Sequence, residues 1–344
     1  MKRALATLTA LSLALVLAAC GGSPARQRQA QATAATGLTP VELSLDWTPN
    51  PDHVGLDYAQ AKGLFQQAGL SVRMRAPSDP SAPLKLVALR KADLAISYEP
   101  DLFFAAAKDL PVTAVASVIP VPLNSLIALP SSGITTPASL KGRTVGITGI
   151  PSDDAILQTL ERTAGLSRAD VKAVSVGYNL VTSLLSHKVD AILGGYRNVE
   201  AIQIAQQTGR PPVTLPVDRL GVPTYDELVL VANTARLRGD PAYASMVRRF
   251  VAAMLDGAAA ARRDPAGAIA VMRKATTYTP KFLQASVPTT LDLLAPPASR
   301  PIGCLDQATW QRYGDWMHAT GLLAKPVGAA AVMTTAYLPD PGRC

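Results

Sequence analysis

The chain has 344 residues, with 33 Lys and Arg against 25 Asp and Glu, for a net charge of +8. Hydrophobic residues at 48% and charged residues at 17% are globular values; they exclude wholesale disorder and collagen-like repeats and leave room for two domains or one bilobal one. The basic surplus is scattered, with Arg pairs at 248–249 and 262–263 but no long basic run, and aromatics reach only 5%, so nucleic acid is not an expected partner.

Met1-Lys2-Arg3 opens the chain with positive charge, and an apolar run follows as far as Ala19. That run is too short and wrongly flanked for a membrane span and reads as a signal peptide over 1–19. Its end, Leu17-Ala18-Ala19-Cys20-Gly21, resembles the lipobox of bacterial lipoproteins. The resemblance implies lipidation of the Cys20 thiol, cleavage just before it, and an extracytoplasmic chain lipid-anchored to the bacterial cell membrane. Residues 20–40 are rich in Gly, Ser, Ala, Gln and Thr without apolar periodicity, which predicts a flexible tether. Cys304 and Cys344 then remain, and two cysteines outside the cytoplasm are expected to pair. His53, His187 and His318 lie far apart with no second ligand four residues away, so no metal site is expected.

From Val41 onward short apolar runs alternate with helical patterns, the signature of α/β units and a mostly parallel sheet. Strands are predicted over 41–45, 71–75, 93–97, 113–118, 125–129, 143–148, 172–175, 191–193 and 228–232. Helices are predicted over 53–68, 83–90, 100–109, 153–164, 179–186, 198–207, 241–263, 265–276 and 309–320. Gly257 falls inside the longest of these and marks a candidate break. Trp310, Tyr313, Trp316 and Met317 recur at helical spacing and read as a face packed on the core. Two segments echo each other: LKLVALRKADLAISY at 84–98 and VTSLLSHKVDAILGGY at 181–196. Each is a helix, a Lys-x-Asp turn and a short strand, and two such units suggest two similar lobes facing one cleft.

Ligands of open α/β sheets bind beyond the carboxyl ends of the strands, so the strand ends supply the candidate site. These are Asp46 to His53, Tyr98 to Asp101, Gly149 to Asp153, Gly194 to Glu200 and, before the returning strand, Gly221 to Glu227. Together they offer Trp and Tyr faces, carboxylates and amides, but no cluster of Lys or Arg. A flat heteroaromatic with donor groups suits such a site, since it stacks on rings while a carboxylate accepts from an exocyclic amine. Asp46 is balanced between a ligand contact and a brace for its own turn. Ser152 and Asp153 read as helix caps, His53 as structural, and Asp93 and Asp190 as turn residues.

The blocks DWTPNPDHVGL, KGLFQQAGLSV, KADLAISYE, LKGRTVGI, GGYRNVE and GVPTYDELVLV, in that order, resemble the solute-binding proteins of thiamine-precursor ABC transporters. These belong to the superfamily shared with sulfonate and nitrate binders and with the eukaryotic pyrimidine synthases. The resemblance implies an α/β, two-lobed type II periplasmic-binding-protein fold: two mixed, mostly parallel sheets with a ligand cleft between them. Lobe 1 would take residues 41–125 and 228–344, and lobe 2 residues 126–227. The implied ligand is a formylaminopyrimidine or hydroxymethylpyrimidine, and the implied partners are ABC permease and ATPase subunits. The chain would act as a monomer without a cofactor. Carried over residue by residue, Trp47 would be a stacking wall, Asn50 a polar contact and Glu200 the carboxylate that reads the ring amine, with Tyr196 and Tyr225 as further walls; Tyr98, Glu99 and Asn198 complete the expected ligand-binding set.

The chain departs from this pattern after its GGY block, where Arg197-Asn198-Val199-Glu200 stands in place of Trp-Asn-Tyr-Glu. Arg197 reads as a solvent-facing side chain, with pairing to an anionic group as the alternative. Riboflavin, a sulfonate or nitrate remain alternative ligands. The related synthases carry a Lys on the strand matching 93–97 and a cysteine-rich run matching 223–227. Here those places hold Ser97-Tyr98 and Pro223-Thr224-Tyr225-Asp226-Glu227, so the Schiff-base chemistry has no carriers and no enzyme activity is expected.

Overall fold

A computed structural model, describing residues 37–294 and 300–344, arranges ten strands in two five-stranded sheets. The first sheet takes β1 (Thr39–Ser44), β2 (Leu70–Arg75), β3 (Leu94–Ser97), β4 (Val112–Ile119) and, much later, β10 (Leu228–Asn233). The second takes β5 (Asn124–Ala128), β6 (Arg143–Ile147), β7 (Val171–Ser175), β8 (Ala191–Tyr196) and β9 (Val213–Pro216). Their spatial orders, β2-β1-β3-β10-β4 and β7-β6-β8-β5-β9, are the same pattern used twice. In each, three strands pair in parallel and one runs antiparallel to both its neighbours: β10 in the first sheet, β5 in the second. That reversed strand is the one by which the chain enters from the other sheet. The fold is therefore α/β with two lobes. Ser125, expected with the first sheet, pairs with Gly195 and Pro216 in the second, because β5 already begins at Asn124.

The central strands are buried from end to end, as in β10 and β3, because helices cover both faces; edge strand β2 alternates instead. The echo between the two segments has a common geometry. Asp93 accepts from the Glu42 N–H of β1 at 3.0 Å, and Asp190 accepts from the Thr144 N–H of β6 at 2.8 Å. Three residues earlier, Arg90 and His187 both take left-handed backbone at φ 56° and 57°.

The expected helix over 53–68 is two helices, α1 (Val54–Ala61) and α2 (Leu64–Gln67), because Gly63 turns left-handed at φ +72° between them. Next come α3 (Pro83–Ala88), α4 (Glu99–Ala106), α5 (Pro151–Thr163), α6 (Leu180–Leu185) and α7 (Glu200–Thr208). After β10 follow α8 (Thr234–Gly239), α9 (Pro241–Arg263), α10 (Pro265–Ala275), α11 (Pro280–Leu293), α12 (Gln307–Ala319) and α13 (Ala329–Val332). Proline opens α9, α10 and α11, where its missing N–H costs nothing, and Asp240, Asp264 and Thr279 cap them.

Gly257 does not break α9. A Cβ there would lie 2.5 Å from both Ala59 Cβ and the Gly55 carbonyl oxygen, so this glycine lets α9 cross α1 at close range. On α12 the apolar stripe faces inward, with Trp310, Tyr313 and Met317 buried. Strand β9 and helices α8, α11 and α13 have no counterpart in the sequence reading; in α11 the interior Pro288 hides a helical pattern.

Cys304 and Cys344, 40 residues apart, form a disulfide with Cα atoms 5.4 Å apart, tying the chain end to the loop before α12. The expected signal peptide, Cys20 and the expected tether as far as residue 36 lie outside the described residues. The tether's expected end at residue 40 is overrun by β1, which starts at Thr39. Among the described residues no helix is long and apolar enough to cross a membrane.

Candidate ligand-binding site

The ends of β1, β3, β6 and β8 converge with the two chain crossings on one narrow cleft. Of the residues expected at the site, Trp47, Asn50, Tyr98, Tyr196, Glu200 and Tyr225 line it. Trp47 is half-buried and packs edge-on against Tyr178 of the second lobe, with ring centroids 4.4 Å apart. Tyr178 in turn donates its hydroxyl to the Pro77 carbonyl at 2.8 Å, so this aromatic pair bridges the lobes at the cleft. Asn50 lines the cleft, but its side chain serves its own turn: Oδ1 accepts from Asp52 N at 2.8 Å and Nδ2 donates to the Thr48 carbonyl at 3.2 Å.

Two expected contacts do not line the cleft. Glu99 is fully buried at the start of α4, where its Oε2 accepts from Asp226 N at 2.7 Å. It fastens the second chain crossing rather than facing a ligand. Asn198 is fully buried as well, donating Nδ2 to Asp52 Oδ1 at 2.6 Å and to Thr290 Oγ1 at 2.8 Å, while Ser286 Oγ donates to its carbonyl at 2.5 Å. It is a bolt between the lobes, with partners on α11 that the sequence did not reveal. Arg197 is half-buried and donates to the Pro122 carbonyl of the first crossing, so it does not point to open solvent, and it is not among the residues lining the cleft.

From the sequence Asp46 is undecided, Asp153 reads as a helix cap, and Glu227 ends a candidate segment without a role of its own. All three line the cleft. Asp46 is buried, its Oδ1 2.8 Å from His53 Nε2, and its Oδ2 accepts from Tyr98 Oη at 3.1 Å. Because His53 Nδ1 accepts from Asn50 N at 3.2 Å, its proton sits on Nε2 and points at Asp46. The turn residue and the wall residue thus aim one carboxylate. Glu227 gathers four donors: Leu123 N at 2.6 Å, Asn124 N at 2.9 Å and Tyr225 Oη at 3.0 Å on Oε2, and Tyr196 Oη at 3.2 Å on Oε1. It ties both chain crossings to two aromatic walls. Its position directly before β10 was the available signal.

Asp153 does not act as the expected N-cap; Ile150 holds that position and Asp153 lies in the first turn. Its Oδ2 accepts from Thr148 N at 2.7 Å, Thr148 Oγ1 at 2.5 Å and Gly149 N at 3.2 Å. Ser152 N reaches across to Asp101 Oδ1 at 2.9 Å. Burial pushes the carboxyls of Asp153 and Glu200 up to about 7, against the opposing effect of the backbone hydrogen bonds they accept. The Glu200 carboxylate accepts from Tyr196 N at 2.8 Å, and the residue lines the cleft. No Lys or Arg is among the lining residues. Rings for stacking, carboxylates for donors and no cation for an anion describe a receptor for a small donor-bearing heteroaromatic.

Comparison with known proteins agrees with this architecture. Residues 50–268 match the family described as NMT1/THI5 like. A formylaminopyrimidine-binding protein of Halalkalibacterium halodurans is 34% identical over 320 residues, covering 92% of this chain and 93% of that one. A Haemophilus influenzae protein named for an assigned role in thiamine biosynthesis is 42% identical over 193 residues, spanning 56% of this chain and 61% of its relative. Among solved structures, the alkanesulfonate-binding protein SsuA from Xanthomonas axonopodis pv. citri, bound to MOPS, shares the fold at a TM-score of 0.67. At 18% identity over 86% of this chain and 99% of that one, it speaks for the fold alone. By the span of the family match and the near full-length relative, the chain belongs to the NMT1/THI5-like family.

Proposed function

We propose that this protein is the extracytoplasmic solute-binding component of an ABC importer. It would hold a thiamine-precursor pyrimidine, of the formylaminopyrimidine or hydroxymethylpyrimidine type, and deliver it to the permease without chemistry. The observation that carries this reading is the cleft itself: Trp47, Tyr98, Tyr196 and Tyr225 frame Asp46 and Glu200 with no cation among them. The near full-length relative named for formylaminopyrimidine binding supports the same ligand. In this reading Trp47 stacks on the ring and Glu200 accepts from its exocyclic amine. A synthase role is disfavoured because buried Ser97 ends β3 where the resembling enzymes place their Lys. A sulfonate ligand is disfavoured because its charge would meet carboxylates.

Lobe 1 (residues 38–119 with 228–344) and lobe 2 (124–216) would close on the ligand about the two crossings, and Cys20 would carry the lipid that keeps the receptor at the membrane. Isothermal titration of the soluble protein tests the ligand: one pyrimidine per chain is expected. No heat with either pyrimidine, alongside a thermal shift with riboflavin or an alkanesulfonate, would replace the reading. Mass spectrometry of membrane-extracted protein tests the anchor, and an unmodified Cys20 would remove it.

A further inference from the structure

The start of α5 is built as an anion seat. Its first backbone N–H groups and those of the preceding turn have no partners within the helix, and the helix dipole favours negative charge there. The protein fills this seat itself. Asp153 Oδ2 takes Thr148 N, Thr148 Oγ1 and Gly149 N, and Asp101 Oδ1 takes Ser152 N. Asp153 Oδ1 is left over: the residue is fully buried, lines the cleft, and this oxygen has no hydrogen-bond partner. The space beside it is kept clear by Gly194, also a lining residue, whose backbone is left-handed at φ +90°. A Cβ on Gly194 would come within 3.1 Å of Asp153 Oδ1 and 2.8 Å of Thr148 Cγ2. An orphaned buried acceptor costs folding free energy that a ligand donor would recover.

We propose that Asp153 is a specificity-determining residue of the cleft: its Oδ1 accepts from an N–H or O–H donor at the second-lobe end of the ligand, and its carboxylate bars phosphorylated and sulfonated molecules from that end. The seat that would hold a phosphate is occupied by the chain's own side chain, and no Lys or Arg lines the cleft to offset a second negative charge. The ligand class is therefore an unphosphorylated, uncharged or amine-bearing heteroaromatic. This rests on the cleft being the ligand site, but not on the ring being a pyrimidine.

Calorimetry on matched pairs separates the two ideas. One pair is hydroxymethylpyrimidine and its monophosphate; the other, on a pyridine ring, is pyridoxamine and its phosphate. The unphosphorylated member of at least one pair is expected to bind about 100-fold or more tightly than its phosphate. Asp153→Asn should weaken that member about 10- to 100-fold, the range for a charge-assisted hydrogen bond, and narrow the ratio at least about tenfold. Asp154→Asn, on the same turn but exposed and paired with Arg168, should change neither. A phosphate binding within about tenfold of its partner in the wild type overturns the proposal, whether or not the variant folds. So does an unchanged ratio in a folded Asp153→Asn. Binding confined to the pyridine pair, with the expected ratio, sustains Asp153 and removes the pyrimidine reading; binding of neither pair counts against both.

Discussion

Burial governs three carboxyls in or behind the cleft more than their neighbours do. Asp52, Asp153 and Glu200 are all pushed up to about 7, with desolvation the largest cause in each. An acid whose folded pKa is raised binds protons in the folded state that the unfolded chain has already released. Stability from these groups is therefore greatest below about pH 4 and is lost as pH rises toward 7. Asp264 works in the opposite sense, because the Gly267 N–H and the Tyr58 hydroxyl hold its carboxyl below the usual range. The ligand-free protein is thus expected to melt lower at pH 8 than at pH 5 in scanning calorimetry; a higher midpoint at pH 8 would contradict the burial argument. At Glu200 itself, Gln keeps an acceptor for Tyr196 N while removing the charge. Titration at pH 8 should show Glu200→Gln weakening pyrimidine binding by about 2 kcal/mol, and unchanged affinity would take Glu200 out of the site.

Two elements depend on features that are small in sequence. The close crossing of α1 and α9 requires Gly257, since a methyl group there would sit 2.5 Å from Ala59 Cβ and from a backbone oxygen of α1. Gly257→Ala should destabilise by about 1–3 kcal/mol, despite alanine's better helix propensity, and denaturant unfolding would reveal it. If propensity won, the variant would be more stable. The disulfide between Cys304 and Cys344 closes a loop over a separation of 40 residues, enclosing α12 and α13. For a loop of that size the chain-entropy model gives about 4 kcal/mol. Mature unreduced protein should show no titratable thiol at these two positions after denaturation, and reduction should lower its melting midpoint; two free thiols would end the assignment.

The two lobes meet through a few specific contacts beyond the crossing strands. Asn198 is bolted to Asp52 and α11, Asp101 accepts from Ser152 N, and Tyr178 packs on Trp47 while bonding Pro77. If the lobes hinge about the two crossings, as proposed, these contacts would hold the closed form. Tyr178→Phe keeps the ring against Trp47 and removes the bond to Pro77. Stopped-flow measurement should show ligand release faster by about two- to tenfold with the association rate little changed. An unaltered release rate would mean that Tyr178 does not hold the closed form.

The sequence by itself determined every strand but β9, the repeated αβ unit and the gathering of candidate site residues at strand ends, because apolar periodicity and turn chemistry are local. It also placed Trp47, Tyr98, Tyr196, Glu200 and Tyr225 where they line one cleft. The direction in which a side chain points is not local. Glu99 and Tyr98 are adjacent, yet one faces the crossing at Asp226 and the other the cleft, because a strand giving way to a helix turns successive side chains apart. Asn198 and Asp52 lie 146 residues apart and meet only because the tertiary fold brings the two lobes together. Asp153 looks like a helix cap in the sequence; only the packed turn at Thr148 shows one of its oxygens consumed and the other left bare. Which polar atoms keep capacity for a ligand is decided by which have been used inside the fold, and that sum is closed only by tertiary structure.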